Sequence, residues 1–361
     1  MHRKNNRFPA VAMALLVIAS ASCRLATYDT PAPQEIETSL FLIGDAGEPD
    51  PREIGAPLDS LTAQASVDPE RNVIVFLGDN VYEEGIPEEG AAEYADARRR
   101  MAAQVHAVPP GVRAIFIPGN HDWAREKAYG LYSIRRQERL IDTLARGRDI
   151  RLLPRNGCPG PVSVDIGRMR LIALDTQWWL HEYVVRDSAS RCASTTISEV
   201  TSTLRRQVRE PGAGRVVVIA GHHPLMTGGE HGGYCGVTGP FRRFAGRSQD
   251  IISGANRQMR DSIESAFREN PPLVYAAGHD HSLQVLRSGN DAPYVLVSGA
   301  GSPPKASCAV RLRESLYTSP HRNGFMRLDI MRGGGVLLRV YRYTSSGSGG
   351  IAYSKWLEER P

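Results

Sequence analysis

The stretch NVIVFLGDNVY, residues 72–82, joins an apolar, β-branched run to a Gly-Asp turn. A continuous apolar run of this length, bounded by turn residues, is typical of a strand that is buried on both faces. Similar runs recur along the chain, and most of them end in glycine followed by a polar residue. The other runs are SLFLIGD (39–45), RAIFIPGNHD (113–122), RMRLIALD (168–175), RVVVIAGHH (215–223), PLVYAAGHDH (272–281) and PYVLVSGAG (293–301).

Segments with the composition of helices separate several of these runs. Alternation of strands with helices predicts an α/β fold in which helices cover both faces of the sheet. The chain ends differently, because NGFMRLDIM (323–331) and GVLLRVYRY (335–343) are typical of an antiparallel hairpin. No internal repeat or domain boundary interrupts the pattern, so we expect a single domain. The helix-like segments are 90–107, 131–146, 197–210 and 256–269.

The first residues have the pattern of a secretory leader. Three basic residues precede an apolar run that ends near Ala19, and a run this short does not cross a bilayer, which takes about 20 apolar residues. Ala19-Ser20-Ala21 offers a cleavage site, whereas Cys23 offers a lipid-acceptor cysteine; both routes stay open. We predict a signal peptide at 1–22 and an exported protein, either periplasmic or anchored to the membrane through a lipidated Cys23.

The remaining chain divides into three parts by composition. Polar, proline-containing residues 23–37 are expected to form a tether, 38–345 the folded domain, and 346–361 a C-terminal tail. In an exported protein, the cysteines beyond Cys23 can form up to two disulfides, in three possible pairings. These cysteines are Cys158, Cys192, Cys235 and Cys308.

The charge of the chain excludes one class of partner. The sequence has 44 Lys and Arg residues against 39 Asp and Glu residues, a net charge of +5 that falls to +2 when the leader is removed. No basic stripe with interleaved aromatic residues is present, so we expect no nucleic-acid partner. The sequence does not predict the oligomeric state.

Polar residues follow the predicted strands where the strands end. Ligands of open α/β sheets bind outside the carboxyl ends of the strands, so these side chains are expected to converge. Glycine before each polar residue lets the backbone turn tightly. The turns are Gly44-Asp45, Gly78-Asp79, Gly119-Asn120-His121, Gly221-His222-His223 and Gly278-His279-Asp280-His281.

The side chains in these turns are oxygen and imidazole donors, without a thiolate. Such donors suit iron, zinc or manganese better than a soft metal. The donors exceed what one metal needs if positions for water are to stay open. We therefore expect two metals that share a bridging carboxylate.

The combined set GDxG, GDNxY, GNHD, GHHP and GHxH resembles the calcineurin-like metallophosphoesterases, over about residues 39–330. Within that family the pattern is similar to the purple, or tartrate-resistant, acid phosphatases. Gly47 stands where most of the family has a histidine, Tyr82 lies three residues after Asp79, and His231 follows the GHHP segment; Ser298-Gly299-Ala300-Gly301 also matches. The resemblance implies a four-layer α/β/β/α sandwich with mixed sheets.

The resemblance also implies the division of ligands between two metals. One metal, expected to be Fe(III), would be held by Asp45, Asp79, Tyr82 and His281. The other, a divalent iron, zinc or manganese ion, would be held by Asp79, Asn120, His222 and His279. Two carboxylates and a phenolate carry three negative charges against five positive charges on the metals, which favours an anionic phosphate ester as the ligand.

The resemblance predicts a hydrolase for small phosphate esters, with phosphomonoesters as the leading substrate class. His121 is the candidate general acid, His231 its partner, and Asp122 the carboxylate that orients His121. A phosphodiesterase or nucleotide hydrolase would use the same metal ligands, and a non-catalytic surface lipoprotein is a third reading. His223 adjoins His222 and competes with it as a ligand; the family pattern favours His222.

Overall fold

The computed structural model describes residues 31–48, 56–181, 191–212, 214–235, 239, 242, 246–289, 292–302, 307–344 and 347–359. The predicted signal peptide and Cys23 lie outside these residues. None of the helices described in this way is long and apolar enough to span a membrane.

Seven strands, four from the first part of the chain and three from its end, form a first mixed sheet. They are β1 (Ile36–Ile43), β2 (Asn72–Phe76), β3 (Arg113–Phe116), β4 (Ile150–Leu152), β12 (Asn323–Met331), β13 (Val336–Tyr343) and β14 (Gly349–Glu358). Their order is β14-β13-β12-β1-β2-β3-β4. The four strands from β1 to β4 run parallel, while β12 joins β1 antiparallel and starts the antiparallel part.

A second mixed sheet of seven strands faces the first. They are β5 (Val162–Ile166), β6 (Met169–Ala173), β7 (Val216–Ala220), β8 (Val274–Ala277), β9 (Leu283–Arg287), β10 (Tyr294–Ser298) and β11 (Ser315–Ser319). Their order is β11-β9-β10-β8-β7-β6-β5. β6, β7, β8 and β10 form its parallel centre.

Helices cover the outer face of each sheet and complete a four-layer α/β/β/α sandwich, as predicted. They are α1 (Ala56–Ala65), α2 (Tyr94–Ala107), α3 (Gly130–Ala145), α4 (Gln177–Leu180), α5 (Ile197–Arg209) and α6 (Gly254–Phe267). One apolar core lies between the sheets, and one lies under the helices of each side. Leu40 and Leu42 of β1 point into the central core, whereas Phe41 and Ile43 point towards the helices. Burial on both faces explains the continuous apolar runs in the sequence.

The ends of the predicted domain need correction. The prediction that residues 346–361 form a tail is wrong for Gly349–Glu358, since β14 pairs antiparallel with β13. At the other end, β1 begins at Ile36, within the predicted tether. The predicted hairpin is confirmed, because β12 and β13 pair in register from Asn323 with Tyr343 to Ile330 with Val336.

The four cysteines beyond the leader form two disulfides, Cys158–Cys192 and Cys235–Cys308. The second links the segment after His231 to the segment after β10. A backbone hydrogen bond from Val310 to the carbonyl of Gly228, at 2.9 Å, joins the residues just before His231 to the same later segment. Two loops next to the strand-end turns are thereby held together.

Candidate metal centre

The strand-end turns of the two sheets meet at one end of the sandwich. Gly44, after β1, donates to the carbonyl of Ser298 at the end of β10 at 2.8 Å, and Gly301 donates back to Gly44 at 3.0 Å. Gly278, after β8, donates to the carbonyl of His222, after β7, at 3.0 Å. These bonds bring side chains from distant parts of the chain into one cleft.

Three of the predicted ligands of the first metal meet closely. The hydroxyl of Tyr82 lies 3.0 Å from Oδ1 of Asp45 and 3.2 Å from Nε2 of His281. Nε2 of His281 is 3.3 Å from the same Asp45 oxygen. Asp45, Asp79 and His281 each offer one ligand atom within 4.8 Å of the others. The four predicted donors therefore lie close enough together to share one metal ion.

The predicted ligands of the second metal form an adjacent group. Oδ1 of Asn120 is 3.0 Å from Nε2 of His222 and 3.1 Å from Nδ1 of His279. The two ring nitrogens are 3.2 Å apart, and Oδ1 of Asp79 lies 3.4 Å from Nε2 of His222. Asp79 therefore contacts one group and lies within ligand distance of the other, which is the arrangement a bridging carboxylate requires.

Several of these donor atoms turn lone pairs towards one another, an arrangement that a cation between them would stabilise. Nδ1 of His222 donates to the carbonyl of Leu77 at 2.8 Å, so the neutral ring turns its Nε2 lone pair towards the amide oxygen of Asn120. A lone pair facing another lone pair is repulsive unless a proton or a metal lies between them. Burial alone would lower the pKa of His222, but the charge and hydrogen bond of Asp79 raise it to about 9. Without metal, a proton on His222 supplies the missing positive charge.

The environment of Tyr82 likewise disfavours a negative charge unless a cation is present. Burial, followed by the carboxylates of Asp45 and Asp79, raises the pKa of its phenol well above the ordinary value. The phenol is therefore protonated in the metal-free pocket, and only a strong Lewis acid converts it to a phenolate near neutral pH.

The backbone at the centre is held in an uncommon conformation. Asp45, Asp79 and His279 have φ values of 57°, 52° and 68°, in the left-handed region that non-glycine residues seldom occupy. Such strain clusters at functional sites and persists where neighbouring contacts hold it. Oδ2 of Asp45 accepts from the amide of His279 at 2.9 Å, and Oδ1 of Asp79 accepts from that of His121 at 2.9 Å.

Glycine is needed at Gly119 because the turns lie so close together. A Cβ atom there would lie 2.3 Å from Oδ1 of Asp79 and 2.4 Å from its amide nitrogen. Any larger residue would displace the turn that carries Asp79.

His223, the competitor of His222, has both ring nitrogens engaged by protein groups. Nδ1 is 2.8 Å from the hydroxyl of Thr176, and Nε2 is 2.6 Å from Oε1 of Gln249. The Thr176 hydroxyl also accepts from the amides of His222 and His223, each at 3.1 Å. His223 and Thr176 therefore support the turn that presents His222. Sequence reasoning did not find Thr176.

The carboxylate of Asp122 makes no hydrogen bond to the His121 ring, contrary to its predicted orienting role. Its carboxylate is fully buried and accepts from the amides of Gly119 at 2.8 Å, Asn80 at 3.0 Å and Val81 at 3.2 Å. Burial and the charge of Asp79 raise the pKa of Asp122 to about 7. Asp122 links the Asp79 turn to the Asn120 turn, because backbone amides of both turns donate hydrogen bonds to its carboxylate.

His121 is oriented by a backbone group instead. Its Nδ1 donates to the carbonyl of Glu83 at 2.7 Å, and its ring packs edge-on against Tyr82 with centroids 4.4 Å apart. Nε2 is then turned to the metal side, 3.9 Å from Oδ2 of Asp79. The side chain is 15% exposed, so it stays accessible from the cleft.

His231 stands on the other side of the cleft, beside the second metal position. Its ring packs against that of His279 at a tilt of 32°, with centroids 3.8 Å apart, and its Nδ1 lies 2.9 Å from Oδ1 of Asp250. Asp250 is buried, which alone would raise its pKa, but the hydrogen bonds from His231 and from the Arg247 amide, together with the charges of His231 and Arg242, lower the pKa of Asp250. Asp280 accepts from the amide of His231 at 3.0 Å. Neither aspartate follows from the strand-end pattern as a partner of His231.

The cleft above the centre has a volume of about 350 Å³ and is lined by three arginines as well as by the metal-site residues. Asp175, which ends the run at 168–175, does not line this cleft; its carboxylate accepts a hydrogen bond from the indole N–H of Trp123 at 2.8 Å. The lining residues are the metal-site residues Asp79, Asn120, His121, His231, His279 and His281, with Arg125, Glu126, Arg242, Arg247, Ser248 and Gln249.

The chain belongs to the calcineurin-like phosphoesterase family, whose model matches residues 42–283. A curated relative, purple acid phosphatase 17 of Arabidopsis thaliana, is 21% identical over 283 residues, covering 75% of this chain and 70% of the relative. The protein is accordingly a metal-dependent phosphoric ester hydrolase, and the His and Asp groups at its strand ends could hold metal ions, as is typical of this family.

Two solved structures share the fold at 15% identity. One is GAP50, described as the anchor in the inner membrane complex of Plasmodium, with a TM-score of 0.56 and coverage of 89% of this chain and 88% of that one. The other is purple acid phosphatase PPD1 from yellow lupin (Lupinus luteus) seeds, also at 0.56, where 90% of this chain spans 54% of that one.

Proposed function

We propose that this protein hydrolyses small phosphomonoesters at a centre of Fe(III) and a divalent iron, zinc or manganese ion. The observation that carries the proposal is the convergence of seven donors in two adjacent groups that share Asp79. Asp45, Asp79, Tyr82 and His281 would hold the ferric ion, and Asp79, Asn120, His222 and His279 the divalent ion. When bound, such a pair of metals activates water and neutralises the phosphoryl oxygens.

The side chains of this protein would manage the proton in the reaction. Water oxygen bonds to phosphorus, the ester P–O bond breaks, and the leaving alkoxide takes a proton to give an alcohol and inorganic phosphate. His121 is the proposed donor, because the Glu83 carbonyl occupies Nδ1 and leaves Nε2 facing the metal side. His231, supported by Asp250, would assist from the opposite wall.

Comparison of a monoester with a diester tests the substrate class. We expect p-nitrophenyl phosphate to be hydrolysed with a kcat/KM at least about tenfold above that of bis-p-nitrophenyl phosphate, since the site is built to balance a dianion. Both reactions are followed by nitrophenolate release under identical metal loading. A preference for the diester would replace this proposal by the phosphodiesterase alternative.

Replacing Tyr82 by phenylalanine tests the ferric assignment. Protein purified in air should be coloured by a tyrosinate-to-iron charge-transfer band, and the Tyr82→Phe variant should lose that band while Asp45, Asp79 and His281 retain part of the metal. Visible spectra and iron content are measured together. Tyr132→Phe, which changes a tyrosine that is 62% exposed, serves as the matched control. A colourless wild-type enzyme that is fully active with divalent metals alone would rule out the iron–tyrosinate pair.

The two disulfides support export as part of the proposal. Disulfides persist in oxidising compartments and are rare in the cytosol. We propose that the protein acts after export. Whether it is released or held through a lipidated Cys23 is tested by mass spectrometry of the purified amino terminus.

A further inference from the structure

Three arginines line the cleft in addition to the metal-site residues. Arg125 follows the Asn120 turn, whereas Arg242 and Arg247 belong to the segment that follows His231. The metals already meet the charge of a phosphate monoester in the proposed function. An arginine whose guanidinium is not paired with a protein carboxylate would therefore add positive charge beyond what that group requires.

Two of these arginines are organised around one buried carboxylate. Asp250 accepts from the amide of Arg247 at 2.9 Å, lies 2.9 Å from Nδ1 of His231 and is 3.9 Å from a guanidinium nitrogen of Arg242. Its relative exposure is 1%, so it is a fixed point in the wall of the cleft. The Arg242 guanidinium and the Arg247 backbone are thus positioned around the carboxylate that contacts His231, and both side chains line the cleft.

The three arginines differ in whether their guanidinium groups are paired with protein carboxylates. Arg125 pairs with Glu83 at 3.4 Å, and Arg242 pairs with Glu230 at 3.0 Å. Among the described residues, no hydrogen bond or ion pair engages the guanidinium of Arg247, which is exposed. An arginine without a partner at the wall of a cleft is available for an anion.

Glu126 also lines the cleft, but in the part of the chain that the structure describes its hydrogen bonds are to neutral donors and none of them is to Arg247. Its Oε1 accepts from the hydroxyl of Ser248 at 2.6 Å and from the side-chain amide of Gln249. The latter residue holds His223 through its other amide atom. Glu126 therefore joins two walls of the cleft, and its carboxylate is turned towards protein donors.

We propose that Arg247, with Arg242 beside it, binds a second anionic group of the substrate. This inference rests on the proposed phosphomonoesterase function and narrows its substrate class. The preferred substrate is a small phosphate ester that carries a second negative group, a carboxylate or another phosphate, a few bonds from the ester that is cleaved. Arginine recognises both groups through two parallel hydrogen bonds.

Three related substrates test the proposal on the metal-loaded enzyme. Glycerol 3-phosphate has no second anion, 3-phosphoglycerate adds a carboxylate, and glycerol 1,3-bisphosphate adds a phosphate. We expect about tenfold higher kcat/KM for at least one of the two doubly anionic esters, mainly through KM, because a charged hydrogen bond contributes about this much. The advantage should shrink as salt is added, since the arginine is exposed.

Arg247→Ala should remove that advantage and leave the kinetics on glycerol 3-phosphate within about twofold, while Arg247→Lys should retain part of it. Arg206→Ala, an exposed arginine on α5, removes the same charge away from the cleft and should change nothing. Equal loss of kcat on all three substrates in Arg247→Ala would overturn the proposal, because the arginine would then act on the reacting phosphate. Absence of any preference in the wild type would overturn it too.

Failure of the proposed function gives a different result. In that case the metal-loaded wild-type enzyme releases phosphate neither from the three esters nor from p-nitrophenyl phosphate. Turnover of glycerol 3-phosphate without an advantage for a second anion contradicts the arginine subsite alone.

Discussion

Asp79→Ala is expected to reduce the kcat for phosphate release by more than about 10³-fold, because one carboxylate serves both proposed metal positions. Loss of a single preorganised charge-stabilising group already costs about 10²–10³-fold in other enzymes. Asp79 contacts His222 at 3.4 Å and lies within 4.8 Å of the ligand atoms of Asp45 and His281. Its removal therefore weakens the binding of both metals, whereas removal of Asn120 weakens only one.

Phosphate release and metal content per chain are the two measurements for this variant. Asp261→Ala, which removes an exposed carboxylate from α6, is the matched control and should bind metal and turn over as the wild type does. Circular dichroism checks that Asp79→Ala is folded. Undiminished turnover in Asp79→Ala, or in wild-type protein stripped of metal by a chelator, would refute the metal centre as the source of activity.

His121→Ala is expected to separate good from poor leaving groups. A nitrophenolate leaves without a proton, while an alkoxide needs one, and general acid catalysis contributes about 10²–10⁴-fold. We expect a loss of that size on alkyl phosphates and a loss below about tenfold on p-nitrophenyl phosphate. The ring is held for this task by the Glu83 carbonyl at 2.7 Å and by Tyr82.

The measurement is kcat for a series of phosphate esters with leaving groups of increasing pKa, at constant metal content. His106→Ala, which removes an exposed imidazole from α2, is the control. Equal losses along the series, with both metals bound, would assign His121 to substrate binding. A leaving-group dependence in His231→Ala in place of His121→Ala would exchange the two roles.

Much of the fold could be predicted because burial on both faces leaves a local signature. The stretches at 40–43, 73–77 and 216–220 are apolar at every position, as is typical of strands that are buried on both faces. β14 was missed because it is an edge strand whose residues are mostly half-buried. Its pairing is decided by β13, and composition within the strand carries little information about such a partner.

Asp122 illustrates how the sequence misleads about individual roles. It adjoins His121 along the chain, and its side chain nevertheless turns to the amides of Gly119 and Asn80. Neighbours in a tight turn point in different directions, so adjacency in sequence does not imply contact. Asp250, which does contact a candidate catalytic histidine, lies 19 residues from His231 and ends no predicted strand.

The sequence by itself determined the α/β class, the strand-end turns and the donors in them, because glycine and polar residues at strand ends are local features. Only the tertiary structure decided the two disulfide pairings, the carbonyl that orients His121, the support of His222 by Thr176 and the arginines at the cleft. These depend on distances between segments that are far apart in the chain. Such distances are set by how the two sheets pack, and no short stretch of sequence contains them.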